Sequence, residues 1–267
     1  MILTERRLNN NENSMLKIIR VLFVLIMLAL LMMMTAWRDQ PNDWSKPTIV
    51  LIHPINADQH SATQAWINDL KQSDFAEIQD HIKHASTQFR HQPIQFELRL
   101  GRLLHAIPPI PSGGGSEWSH LLWGLKLQYF SWRHYDRQDG QKTATIYVNY
   151  YQKPSVKILD NSKSFSRSRL GIVNLQTNQA KTQHNVELAH EILHTFGAKD
   201  KFDQVTGQPE YPTGYADPNQ DPLYPQYKAE LMAKHIPISK VETVMPLHLS
   251  QTMVSATTAK ELGWSLF

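Results

Sequence analysis

Hydrophobic and polar positions along the chain divide it into alternating strands and helices. TIVLIH (48–53) is an unbroken apolar, β-branched run, the pattern of a buried parallel strand. Residues 61–87 carry Ala65, Trp66, Leu70, Phe75, Ile78 and Ile82 at helical spacing, without Gly or Pro, and predict a helix. IQFELRL (94–100) alternates strictly, with Ile94, Phe96, Leu98 and Leu100 on one face, and predicts a half-buried strand. Strand, helix, strand in that order implies a parallel crossover. The Pro- and Gly-rich stretch 107–116 (IPPIPSGGGS) reads as a surface loop. Residues 117–133 predict a second helix, with Trp118, Leu121, Leu122, Leu125, Tyr129 and Trp132 as its core stripe. ATIYVNYY (144–151) predicts a third strand. SRLGIVNLQ (168–176), mixed in polarity, predicts a fourth at the sheet edge. Residues 183–196 and 256–264 read as two further helices.

The N-terminus follows a different pattern. From Ile18 to Trp37 the chain is almost wholly apolar, with Arg20 its only charge, and Arg6, Arg7 and Lys17 precede it. That length and positive flank predict a transmembrane signal anchor over 18–37, after a short cytoplasmic tail (1–17). A polar linker (38–47) and one domain (48–267) would follow. A cleaved signal peptide is the alternative, although Met34 and Ala36 do not form the usual pair of small residues at a cleavage site. On either reading the domain is exported, either held by one membrane pass with its body extracytoplasmic or secreted.

Formal net charge is +3, but four of the 27 basic and two of the 24 acidic residues fall in the first 20 positions. No basic stripe survives their removal, so a nucleic-acid partner is not expected. The chain has no cysteine, which excludes disulfides and thiolate ligands; any metal must be held by His and carboxylates.

One stretch carries chemistry. VELAHEILHTFGAKD (186–200) places His190 and His194 one helical turn apart, so both imidazoles leave the same face. Two nitrogens can then meet one zinc ion. Glu191 lies about 100° round the helix from His190, placed to act as a general base on a metal-activated water. Gly197 can adopt the left-handed conformation that ends a helix and lets the chain swing Asp200 back as third ligand. Three protein ligands leave a fourth position for water, as in a catalytic site.

HEILHTFGAKD (190–200) resembles the extended motif of the metzincin zinc metallopeptidases, in the form with Asp as third ligand found in snapalysin-like members. The resemblance implies His190, His194 and Asp200 as zinc ligands and Glu191 as general base. It also implies a methionine in a tight turn near the metal: Met232 in AELMAKHIP, with Met245 as the other candidate. The fold it implies is α+β: a twisted, mostly parallel sheet with an antiparallel edge strand, an active-site helix, and a C-terminal subdomain with the Met-turn and a final helix. Where some members carry a tyrosine ligand two residues after that methionine, this chain has Lys234. The flanking Lys199 and Lys201 are expected on solvated faces.

The loop 201–231 is rich in Pro, Tyr and Asp. Tyr211, Tyr215, Tyr224 and Tyr227 are candidates for binding an oxyanion or the metal. Asp203, Asp217 and Asp221 fit no EF-hand spacing and read as turn residues. His184, His235 and His248 read as structural. The function expected is a membrane-anchored zinc endopeptidase acting on peptide or protein substrates. A zinc hydrolase acting on a non-protein amide and a non-catalytic peptide-binding module are the alternatives.

Overall fold

A computed structural model describes residues 15–29, 42–110, 117–153, 162–166 and 168–264. The described residues form two units, one within 1–40 and one within 41–267.

In the first unit, residues 15–29 form helix α1. Among the described residues no helix is long and apolar enough to cross a membrane. At 1.5 Å per residue the described helix rises about 22 Å, against a hydrocarbon core of about 30 Å. Residues 30–37 of the expected anchor lie outside the described residues. The single-pass placement, with a membrane as partner, is therefore corrected and carried no further.

The second unit is built on a five-stranded sheet: β1 (Thr48–Asn56), β2 (Phe96–Leu100), β3 (Ala144–Tyr151), β4 (Lys163–Phe165) and β5 (Leu170–Gln176), in the order β2-β1-β3-β5-β4. All pairings are parallel except β4 on β5, which is antiparallel. The fold is α+β with a mostly parallel sheet and one antiparallel edge. Side chains alternate across it as the pleat requires. Ile146, Val148 and Tyr150 of β3 join the larger core cluster, and Tyr147 joins the smaller one on the other face.

The larger cluster includes residues of α3 (Ala76–Thr87) and α5 (Lys181–Thr195). Helix α4 (Glu117–Arg133) contributes Trp123, Leu127 and Phe130 to the smaller. The expected core stripe of α4 was the wrong face. Leu122, Leu125, Tyr129 and Trp132 are exposed, Trp132 at 72%, whereas Trp123 is 4% exposed. The side chains of Trp118 and Leu121 lie outside those described. A helix that is apolar nearly all round offers two stripes of equal period, and periodicity cannot choose between them.

Two other expectations change. The helix over 61–87 is broken into α2 (Ser61–Asn68), a 3-10 turn at Gln72–Phe75, and α3. Lys71 is extended at the break, and its N–H donates to Asp74 Oδ2 at 3.0 Å, which starts a new helix. The strand expected at the edge, β5, is interior. Its polar Asn174 has a partner on the neighbouring strand, its Oδ1 accepting from Asn149 Nδ2 at 2.9 Å, and β4 pairs on its other side as the true edge. The final helix, α6, is shorter than expected (Ala256–Glu261), with Ser255 Oγ accepting from Thr258 N at its start. Residues 111–116 of the predicted loop lie outside those described.

Candidate metal centre

Helix α5 buries Leu188, Ala189, Ile192 and Leu193 in the larger core, and this anchors its polar face. The helix ends where Gly197 takes φ +105°, a conformation open to glycine and strained for other residues. Gly197 N–H returns to the His194 carbonyl at 3.1 Å and Ala198 N–H to Leu193 at 3.2 Å, closing the last turn. The reversed chain then presents the Ala198 carbonyl to His194 Nδ1 at 2.7 Å. Two residues later Asp200 reaches the helix face. Its Oδ1 lies 3.0 Å from His194 Nε2 and 3.3 Å from His190 Nε2, and the two Nε2 atoms are 2.9 Å apart.

A second segment holds these groups from the other side. The 3-10 turn Leu231–Ala233 contains Met232, which is fully buried, and ends at Lys234 in the left-handed region. The Leu231 carbonyl accepts from His190 Nδ1 at 3.1 Å, and the Met232 carbonyl accepts from Lys201 N–H at 2.9 Å, one residue beyond Asp200. The turn is clamped by Glu230, whose carboxyl is pushed up by burial although hydrogen bonds from Thr258, Ser255 and Met232 partly offset the effect. Its Oε2 accepts from Met232 N at 2.6 Å, and its Oε1 from Ser255 N at 3.1 Å and Thr258 Oγ1 at 2.7 Å. Met245, the other candidate, is exposed and lies elsewhere.

The tautomers follow. A carbonyl can only accept, so both imidazoles carry their proton on Nδ1 when neutral. Two Nε2 lone pairs and a carboxylate oxygen therefore face one point. Ligand atoms around a tetrahedral zinc with bonds of roughly 2.0–2.1 Å lie about 3.3 Å apart. The observed edges of 2.9, 3.0 and 3.3 Å fit that donor set with small relaxation.

Glu191 also competes for the third place, since its carboxylate and the two imidazoles lie within 4.8 Å of one another. Its Oε2, however, is taken by Ser164 Oγ at 2.8 Å, while Asp200 Oδ1 faces both rings directly. Asp200 Oδ1 thus faces both rings more directly than the Glu191 carboxylate, which is buried beside them.

Electrostatics agree with this arrangement. Burial would raise the Asp200 carboxyl, but the two imidazoles hold it far below the usual carboxylate range. Burial pushes His190 down, and Lys234 adds to the effect. For His194, burial acts downward but is overcome by Asp200 and Glu191, which raise it. Positive charge is what three converging lone pairs require, and either a proton on His194 or a cation provides it.

Sequence reasoning missed several neighbours. Lys234 Nζ meets Glu187 Oε1 at 3.0 Å, one turn before Glu191 on the same helix face. Gln204 Nε2 donates to Asp200 Oδ2 at 3.0 Å. Lys201 is buried rather than solvated. Its Nζ binds both oxygens of Glu261 at 2.8 and 2.7 Å and so does not compete for Asp200. The Glu187 spacing was visible in the sequence; no local signal marked Ser164, Glu230 or Gln204. Of the tyrosines, Tyr215 and Tyr224 share a hydrogen bond at 2.8 Å, Tyr211 donates to the Pro218 carbonyl, and Tyr227 is exposed. Asp203 accepts from Val205 N and Thr206 N within its own turn. His184 is buried against Trp66 and contacts the Gln176 carbonyl.

No protein-family model matches this chain, and no curated protein matches it. Among solved structures it is similar to wild-type OgpA from Akkermansia muciniphila, at 9% identity and a TM-score of 0.42, over 86% of this chain and 65% of that one. It is similar to catalytically inactive OgpA in complex with an O-glycopeptide (glycodrosocin) substrate at 9% identity and TM-score 0.40, over 83% and 61%. A chaperone–substrate complex matches at 11% identity and TM-score 0.38, over 83% and 36%. The chain spans less than two thirds of the length of each of these three. Likenesses this distant carry no argument, and the chemistry rests on the residues described above.

Proposed function

We propose that this chain is a zinc-dependent endopeptidase. The observation that carries the reading is the convergence of His190 Nε2, His194 Nε2 and Asp200 Oδ1 within 2.9–3.3 Å, with both Nδ1 atoms already committed to carbonyls. His190, His194 and Asp200 would hold the ion, and an all-nitrogen-and-oxygen set without thiolate suits zinc. A zinc ion there supplies a Lewis acid for the scissile carbonyl and makes water nucleophilic at neutral pH.

The protein's own groups do the rest. Leu231 and Ala198 keep both imidazoles in the ligand tautomer by accepting from Nδ1. Glu191, buried beside the set with Oε2 held by Ser164, takes the proton of the attacking water at Oε1 and delivers it to the leaving amine. The turn around Met232 holds His190 and the backbone after Asp200 in one frame.

The test is cleavage of an unfolded protein substrate by the wild type and by Glu191→Gln, with metal content measured in both. Cleavage by the wild type and a fall of roughly 10²–10⁴-fold in the variant, at equal metal content, supports the reading. Equal cleavage by the variant removes Glu191 from its role.

A further inference from the structure

The edge strand β4 packs beside the site helix, and there Ser164 Oγ donates to Glu191 Oε2 at 2.8 Å. The register explains why the hydroxyl is there. Ser164 sits opposite Gly171 of β5, and a Cβ on that glycine would collide with Ser164 Oγ and crowd Ile146 Cδ1 at 2.7 Å. Gly171 has an ordinary φ, so its lack of a side chain serves space rather than backbone conformation. The gap in β5 leaves room for the serine hydroxyl beside the helix.

A glutamate's terminal torsion is broad, and packing alone leaves its carboxylate plane loosely set. A charge-assisted hydrogen bond to one oxygen fixes that plane and singles out the other oxygen for proton transfer. We infer that Ser164 is a positioning residue for Glu191, and that Gly171 belongs to the same device by keeping the hydroxyl in place. The inference rests on Glu191 acting as the base proposed above. It assigns an active-site role to an edge strand of three residues and to a glycine that touches neither substrate nor metal ligand.

Four variants test it: Ser164→Ala, Ser164→Thr, Gly171→Ala and the double variant Ser164→Ala/Gly171→Ala. Turnover of an unfolded protein substrate, zinc content, thermal stability and the crystal structures of wild type and Ser164→Ala are compared. Misplacing a catalytic group by about 1 Å can cost about 10²-fold, so Ser164→Ala and Gly171→Ala should each lower kcat roughly 10–100-fold, with KM within about twofold and zinc content unchanged. Ser164→Thr keeps the hydroxyl and should retain most of kcat. The double variant should be no slower than Gly171→Ala alone, because both changes remove the same hydrogen bond, while the crowding of Ile146 Cδ1 is common to the two variants.

Wild-type kcat in Ser164→Ala, or losses that multiply in the double variant, would overturn the inference. If the zinc-loaded wild type cleaves no peptide, the proposed function fails first. The crystal structures then decide the positioning claim alone. A Glu191 carboxylate that rotates away in Ser164→Ala upholds it, and one that stays in place overturns it.

Discussion

His190 Nε2 and His194 Nε2 stand 2.9 Å apart, each on a ring whose Nδ1 already faces a backbone carbonyl. Two imidazoles arranged in this way repel unless positive charge lies between them. The helix, the Gly197 reversal and the Met232 turn all converge on keeping that contact.

The two carboxylates near the rings should behave differently when removed. Asp200→Ala takes away one of the three proposed ligand atoms and should weaken zinc retention by roughly 10–1000-fold, whereas Glu191→Gln should retain it, as expected for a group outside the proposed ligand set. Competition with a chelator of known affinity measures both. Retention in Asp200→Ala equal to wild type would move the third ligand to Glu191.

Glu230 is the clamp of the Met232 turn, and Glu230→Ala orphans three donors, two of them buried and one partly buried. A loss of about 3–5 kcal/mol in unfolding free energy is expected. Denaturant melts of the zinc-free proteins read it directly. A loss under about 1 kcal/mol would show that the turn holds without the clamp.

The Lys234–Glu187 pair sets a pH dependence. Burial would raise Glu187, but Lys234 outweighs it and holds the carboxyl below its ordinary value of 4.5. A depressed folded value means the stabilisation is present above pH 4.5 and is lost as pH falls through the lower folded value. Burial would lower Lys234, yet Glu187 and Glu191 raise it above 10.5, so its share is present below pH 10.5 and is lost as pH climbs through the higher folded value. With side chains 23% and 21% exposed, Glu187→Gln should cost about 1–3 kcal/mol at neutral pH. The difference from wild type should shrink toward zero well below pH 4.5. A difference that does not change with pH would sink this account of the pair.

The orientation of α4 is testable by paired truncation. Trp123→Ala, in the smaller core cluster, should lose about 3–5 kcal/mol, and Trp132→Ala should stay within about 0.5 kcal/mol. Equal losses in thermal or denaturant melts would mean that the outer stripe is covered.

How much of this was legible depends on the range of the interactions. The motif 190–200 was readable because its spacing is local: one helical turn separates the histidines, and Gly197 places the reversal. Strands β1 and β3 were readable from apolar content, which burial in a parallel sheet imposes, and β2 from its strict alternation. Other features were set by partners distant in sequence. The polar mix of β5 reflects Asn149, which binds Asn174, and Ser164 meets Glu191 across 27 residues of chain. Glu230 reads as a surface acid until Ser255 and Thr258 arrive to bind it. Helix α4 carried two apolar faces, and only the sheet could choose between them.

The measurement that bears most directly on the central claim is the zinc content of the purified chain by elemental analysis, beside His190→Ala/His194→Ala prepared identically. About one zinc per chain, absent from the variant, is the predicted result for three protein ligands around one ion. A wild type that holds no metal after reloading with zinc would contradict the account, and helix α5 would then be a structural element with two closely packed histidines.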